Sequence, residues 1–482
     1  MSKVQKPSLF KQDATLQDIS DKWDLVETLF GGTDAMRAAG RQYLPQNPKE
    51  PVDKYRDRLN RATLTNKYVR TIEKGVGKAF ARKMNVILPA PLEPLLMNAD
   101  GQGTSFESFS KQILKDAINY GITYVLVDYP SSVGPTLADQ RASGAFPYFV
   151  EIKPTQLLDL RVDYINNQVQ LTYFRFYESL VDYSDAGGIQ SVNVEQVKEF
   201  VLSDDGSVVY NIYRKDKNKA EYLVESGIVS TNMIPIVPIY GKKTQAYMGE
   251  PVLMDLAHLN VKHWWKQSDL DWNEHYGLTP ILGIKGFSNQ QDPETGGNTI
   301  DEFTVSSSTV IALGENGGLD WTKADAPGIK AAQDSLDRLL KEMDEAGLEL
   351  TTRQEGGAET ATGRILDASE ANSILKGIVV DLNWQLYQAV LIAGDYLGVD
   401  ATDSDVSIDT SYTTTTAPNT QDLALLRELY KDGVITLEEM RLELQSRKLF
   451  VSEKVDEGMN KLPVVPVVEV SQPVPTPTPT VE

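Results

Sequence analysis

The longest periodic run in the chain, Arg364 to Leu397, constrains the fold most. Its apolar residues Ile365, Ala368, Leu375, Val379, Leu382, Leu386, Ala389, Ala393 and Leu397 fall at steps built from threes and fours. That spacing predicts one helix on the order of 50 Å long at ~1.5 Å rise per residue, more than an ordinary domain requires. Ahead of it, from Gly249, the pattern reads as a helix (about Glu250 to Tyr276), a β-rich insert (Thr279 to Trp321), a second helix and a glycine-bearing loop. In the insert, PILGIKG and EFTVSSSTVIALG read as short strands joined by a Gly-rich turn at Asn289 to Asn298. Asp325 and Pro327 supply the start of the second helix. There Ile329, Ala332, Leu336, Leu339 and Met343 form an apolar stripe, and Lys330, Asp334, Asp337 and Lys341 form the opposite polar one. A long-helix hairpin with a small β tip is a mechanical part. In the loop RQEGGAETATGR, Gly356, Gly357 and Gly363 permit bending, while Arg353, Gln354, Glu355, Thr360, Thr362 and Arg364 give it polar tips. It either projects into a channel walled by its flanking helices or is an exposed connection without a task.

The rest of the chain supplies an α/β body. Leu16, Ile19, Trp23, Val26 and Leu29 predict a helix over Thr15 to Phe30, ended by Gly31 and Gly32, and a short helix follows over Asp34 to Tyr43. The prolines of YLPQNPKEP force an extended loop, and Pro51 suits the first turn of a basic helix. A helix over about Phe106 to Tyr120 stops at Gly121, and ITYVLVDYP follows as a buried strand. Between Phe146 and Tyr240, FPYFVEI, VQLTYFRFYESL, VNVEQVKEFVLS, SVVYNIYRK and EYLVES alternate as strands of a half-exposed antiparallel sheet. IPIVPIY carries Pro235 and Pro238, so it is an edge or a linker. Beyond the long helix, Ser404 to Asn419 reads as a polar strand or linker. TQDLALLRELYKDGVITLEEMRLELQ reads as a helical hairpin turning at Asp432-Gly433, and the end from Pro463 as a polyproline-type tail.

Charge and composition narrow the function. With 68 acids against 47 bases the formal charge is -21, which opposes tight nucleic-acid binding but suits a conduit that must not stick to phosphates. The acidity equally serves plain solubility. Against this background, Lys54 to Lys83 holds ten bases and two acids, and Arg70, Lys74 and Lys78 share one helical face opposite Tyr68, Ile72 and Phe80. That face is either a docking surface for acidic neighbours, copies of the same chain included, or a solvated one. No apolar run of ~18 residues could span a bilayer, and the N-terminus lacks a secretory pattern, so a cytoplasmic setting without membrane is expected.

Reactive chemistry is sparse. Zero cysteines exclude disulfides, thiolate metal sites and cysteine nucleophiles. GVGKAF at Gly75 has the Gly-Lys pair of a phosphate loop but neither its first glycine nor its hydroxyl, and Asp128 after YVLV reads as a solvent-facing acid. His258 and His263 differ in direction by about 140° on a helix and cannot share one metal; with His275 they are expected to pack beside Trp264, Trp265 and Trp272. Neither G-x-S-x-G nor H-E-x-x-H occurs, and no carboxylate pair is singled out. No catalytic residue, cofactor or metal is expected, and the chain is read as a non-enzyme.

Five stretches, YLPQNPKEPVDKYRDRL, GITYVLVDYP, PYFVEIKPTQLLDLR, PVLMDLAHLNVKHWW and ETATGRILDASEANSILKGI, resemble portal proteins of tailed bacteriophages over roughly residues 40 to 400, most of all a branch catalogued as a domain of unknown function. The resemblance implies an α+β portal fold. Residues 1–248 would be the wing, 249–276 the first stem helix, 277–327 a β-containing clip and 328–348 the second stem helix. Residues 349–363 would be the tunnel loop, 364–417 the long wing helix and following strand, 418–460 a helical crown and 461–482 a Pro-rich tail. It further implies a homo-oligomer, a ring of twelve at one capsid vertex, assembled in the host cytoplasm and carried in the virion. Double-stranded DNA would be packaged and ejected through this ring, touching it transiently. Terminase large subunit, head-to-tail adaptor, major capsid and scaffolding proteins would be its partners. Other expectations are a different virion component, such as an adaptor or minor head protein, or an acidic carboxylate-dependent hydrolase.

Overall fold

In a computed structural model the chain is described over residues 8–130, 145–165, 167–182, 192–216, 219–277, 281–285, 318–322, 327–347 and 361–410, with 427–431, 436 and 440 beyond them. Met1–Thr410 forms one compact unit and Ser411–Glu482 a second. In the second unit residues 427–431 are helical, within the first arm of the expected hairpin; the turn and the tail lie outside the described residues.

The first unit is mixed α and β, as the sequence implied. Its opening helices are α1 (Gln17–Phe30), α2 (Gly32–Ala39), α3 (Val52–Arg61), α4 (Lys67–Ala79), the short α5 (Pro94–Met97) and α6 (Phe106–Tyr120). The basic stretch is therefore two helices and not one. Residues 62–66 break it, and Asn66 caps α4 by accepting from the Val69 N–H at 3.0 Å. Pro51 stands just before α3, in extended backbone. The α6 helix ends at Gly121 with φ 81°, the left-handed geometry that glycine reaches without strain.

Two main sheets follow. The smaller has order β3-β2-β9, from β2 (Ile122–Asp128), β3 (Tyr148–Ile152) and β9 (Ile236–Tyr240). Residues 122–127 of its central strand are all buried. The proline-bearing β9 is an edge, and the register explains how. Val127 N–H donates to Pro235 O and Gly241 N–H to Gly121 O, both at 2.9 Å, so the odd positions of β9 face β2 and Pro238 faces outward. The remaining outward donors are satisfied, Tyr240 N–H by Gln385 Oε1 at 3.2 Å and Ile236 N–H by Ile234 O at 2.7 Å.

The larger sheet is an antiparallel meander of β4 (Leu157–Ile165), β5 (Gln168–Asp182), β6 (Val192–Leu202), β7 (Val208–Lys215) and β8 (Glu221–Val229). The sequence pattern foresaw four of these but not β4. That strand starts buried at Leu157 and Leu158 and ends exposed at Tyr164 and Ile165, so it shows no alternation. One face joins the core, where Phe174 meets Tyr124 edge-on with ring centroids 5.1 Å apart. On the other, the buried Glu199 accepts from Tyr173 Oη (2.8 Å), Tyr213 Oη (2.9 Å) and Asn211 Nδ2 (3.0 Å). Residues 8–13 cross this sheet: Leu9 N–H reaches Glu221 at 3.1 Å, and Asp13 N–H reaches Leu158 O at 2.8 Å.

Among the described residues three small pairings complete the unit. They are β10 (Lys243–Gln245) with β11 (Met248–Gly249), β12 (Ile281–Lys285) with β13 (Gly318–Thr322), and β1 (Asn85–Ile87) with β14 (Asp405–Ser407). PILGIKG thus forms a strand as expected, but its partner is GLDWT, while EFTVSSSTVIALG and the Gly-rich turn lie outside the described residues. The remaining helices are α7 (Met254–Gly277), α8 (Pro327–Ala346) and α9 (Ala361–Leu397).

Candidate functional site

The helices α7 and α8 pack antiparallel. Lys266 Nζ donates to Ser335 Oγ at 2.8 Å near the middle, and Gln333 Nε2 to Glu274 Oε1 at 2.9 Å nearer the β12-β13 end. Leu336, Leu339 and Met343 of α8 are buried, each worth about 1.5–3 kcal/mol, and Ile329 and Ala332 are half-buried. Lys330, Asp334, Asp337 and Lys341 are all exposed, so the amphipathic reading of α8 is correct. The result is a hairpin with a mixed-charge outer face and, among the described residues of its connection, one pair of strands.

Its root is fixed to the α/β body by polar contacts that helical periodicity does not reveal. Asn260, fully buried on α7, accepts from the backbone N–H groups of Lys67 and Tyr68 at 3.0 Å each and donates to Thr65 O at 3.2 Å, closing the start of α4. Arg58 on α3 is buried and holds Glu50 through two 2.9 Å bonds, Pro45 O at 2.9 Å and Asp269 of α7 at 3.4 Å. Trp265 donates its indole N–H to Tyr43 O. Lys67 pairs with Asp344 near the end of α8 at 2.8 Å. Before α7, Gly121 O accepts from the N–H groups of Gly241 and Lys242 at 2.9 Å, and Glu250 binds Lys22 (3.0 Å) and Lys242 (2.8 Å). These lysines hold the Glu250 carboxyl below its ordinary range.

The long helix α9 has 37 residues, about 55 Å at ~1.5 Å per residue. Leu375, Val379, Leu382, Leu386, Ala389 and Ala393 are buried as expected. It begins at Ala361, so Thr362 and Gly363, expected at the end of the loop, are helical, as is Arg364, where the periodic run was expected to begin; no glycine-imposed break occurs at Gly363. Arg353, Gln354, Glu355, Gly356, Gly357 and Thr360 lie outside the described residues. Trp384 is 63% exposed on the outer side, one helical turn from Val380 at 49%.

The basic patch survives the split of its helix. Arg70 and Lys74 are exposed on α4; Lys78 is half-buried, and desolvation lowers its pKa. Tyr68 and Ile72 are buried beneath them. Asp128 is not a free acid: it pairs with Lys198 at 2.7 Å. His263 and Trp264 are buried and Trp272 is half-buried, but His258 and Trp265 are exposed, so the histidine-tryptophan packing holds in part. Among the described residues, no group of three His, Cys, Asp or Glu is placed to hold a metal.

The structure does single out one carboxyl pair. Asp116 of α6 is 1% exposed and lies beside Glu151 of β3; desolvation and then the Asp116 charge push the Glu151 pKa well up. Gln112 Nε2 donates to Asp116 at 2.7 Å. Only the three-dimensional pairing of β3 beside β2 brings residues so distant in sequence together. A cavity of about 320 Å³ lies elsewhere, between β5, β9 and α9, lined by Leu171, Met233, Val237 and Gln388 among others, and neither acid lines it.

Residues 252–397 match the model of a family described as Domain of unknown function (DUF4055). The matched segment begins two residues before α7 and ends with the last residue of α9, so it holds the hairpin, its β connection and the long helix. No curated protein matches the chain. Three solved structures are similar at low scores. One, titled "Virion of native gene transfer agent (GTA) particle", is 11% identical with a TM-score of 0.37, covering 85% of this chain and 98% of that one. Another, "Neck of empty GTA particle computed with C6 symmetry", is 12% identical with a TM-score of 0.37, covering 86% and 99%. The third, "Neck of native GTA particle computed with C12 symmetry", is 12% identical with a TM-score of 0.36, covering 78% and 88%.

Proposed function

We propose that this chain is a portal protein of a tailed bacteriophage, a ring-forming component at one capsid vertex through which double-stranded DNA enters and leaves the head. The observation that carries this reading is the order of α7, β12-β13, α8 and α9, an antiparallel hairpin with a β connection followed by a helix of 37 residues. It coincides with the order that the five sequence stretches imply for the stem, clip and long wing helix. In this reading α7 and α8 wall the channel, and residues 277–327 meet terminase and then the head-to-tail adaptor. The exposed Asp334 and Asp337 keep passing phosphates from adhering, while Lys330 and Lys341 touch them briefly. The chain's task is mechanical and electrostatic, with no catalytic step.

Class-averaged electron micrographs of the purified protein test the reading. Closed annuli with a central hole are expected; monomers at every concentration, alone and beside the procapsid, overturn it. Shortening Gln354 to Thr362 is expected to change packaging or genome retention while annuli still form.

A further inference from the structure

The cavity of about 320 Å³ between β5, β9 and α9 takes no part in the ring reading. Its size is that of a small-molecule pocket, since an apolar cavity of ~150 Å³ is enough to hold benzene. Eight of its twelve lining residues among those described are apolar, and the other four are Gln168, Gln170, Gln388 and Tyr247. None carries a charge, in a chain where 24% of residues do. Burial raises the Tyr247 pKa to about 12, so its phenol is neutral too at pH 7.

One wall of the pocket is held in a strained position. Tyr247 has φ 58°, left-handed geometry that a bulky side chain rarely adopts. Two other tyrosines fix it: Tyr247 N–H donates to Tyr240 Oη, and Tyr124 Oη donates to Tyr247 O, both at 2.8 Å. Strain that the surroundings maintain in this way marks a side chain that has to stand in one place. Here that side chain lines the cavity.

The outer side of β9 restricts what can bind. Its register with β2 turns the backbone groups of Ile236, Pro238 and Tyr240 away from that strand. Pro238 has no N–H, Ile236 N–H is taken by Ile234 O at 2.7 Å, and Tyr240 N–H by Gln385 Oε1 at 3.2 Å. An added peptide strand finds no donors to pair with there. What β9 leaves to the pocket are the carbonyls of Ile236 and Pro238, which only accept, beside glutamine amides that accept and donate. A charged group entering it would be desolvated without an opposite charge to meet.

We propose that this cavity binds a small, uncharged ring compound bearing a hydrogen-bond donor, about the size of indole. The ring replaces water against Leu171, Val237 and Ile392, and the donor meets a β9 carbonyl or a glutamine amide oxygen. The site does not depend on ring assembly.

The test uses 5-fluoroindole as the probe, observed by ¹⁹F NMR against the full chain. Its line is expected to broaden with a Kd on the order of 1 mM or tighter, the usual yield of about ten non-hydrogen atoms in a fitting pocket. 5-Fluoroindole-2-carboxylate and 5-fluorotryptamine, which add a charge to the same ring, are expected to bind at least about tenfold more weakly. Gln388→Phe on α9 and Gln170→Trp on β5 fill the cavity from two sides. Each is expected to abolish the broadening with an unchanged circular dichroism spectrum. A wild-type protein that leaves the line sharp, a folded filled variant that still broadens it, or charged analogues that bind as well as the neutral probe overturns the proposal.

Discussion

Arg58 is the place where one side chain does most to hold the hairpin root, and replacing it by alanine is the sharpest test of that architecture. Its side chain is 3% exposed and that of Glu50 8%, so the pair is shielded from water. Two bonds of 2.9 Å join them in fork geometry, and a third reaches Pro45 O. Removing the guanidinium leaves Glu50 as a buried carboxylate that keeps only the Asn47 N–H at 2.9 Å. Breaking such a pair from one side costs about 3–5 kcal/mol. The Asp269 arm is a minor part: at 3.4 Å to a side chain 54% exposed, it contributes ~0–1 kcal/mol. Arg58→Ala is therefore expected to lower stability by about 3–5 kcal/mol, Asp269→Asn by under ~1, and Arg58→Met with Glu50→Leu by less than Arg58→Ala alone. Urea unfolding followed by tryptophan fluorescence measures all of these. The same bond to Arg58 holds the Glu50 pKa below its usual value, so its stabilisation is complete above about pH 4.5 and fades as pH falls through the lower folded value. A loss under ~1 kcal/mol in Arg58→Ala, or strict additivity in the double variant, refutes the reasoning.

Three further outcomes are expected. Because burial raises the Glu151 pKa, the fold binds a proton that the unfolded chain releases, and stability declines as pH rises above about 4.5; Glu151→Gln should raise the melting temperature more at pH 8 than at pH 5. Gly121→Ala places a β-carbon 1.7 Å from Glu250 O at a φ of 81°, so a loss of about 3 kcal/mol or more, and little soluble protein, is expected in expression and melting assays. Asn260→Ala orphans two N–H groups and one carbonyl, costing about 1–3 kcal/mol in urea unfolding, while Asn260→Asp should recover part by keeping the acceptors.

Local periodicity made much of this chain legible. The stripes of α8 and α9, the glycine stop after α6 and the strands β5 to β8 follow from which residues recur at three to four or at two positions, a constraint that acts within a few residues. The exposed charges of α8 were legible for the same reason, and so was the edge position of β9, since Pro238 cannot donate to a ladder. The break between α3 and α4 was not, because the residue that closes it, Asn260, lies nearly two hundred positions away. The extension of α9 back through Gly363 was not either, since glycine permits a bend without requiring one. Pairing and burial belong to the tertiary structure. It alone set Asp116 beside Glu151, hid Arg58 with Glu50, and left β4 and β8 as outer strands, because each of these depends on which distant segments share a low-dielectric interior or a ladder.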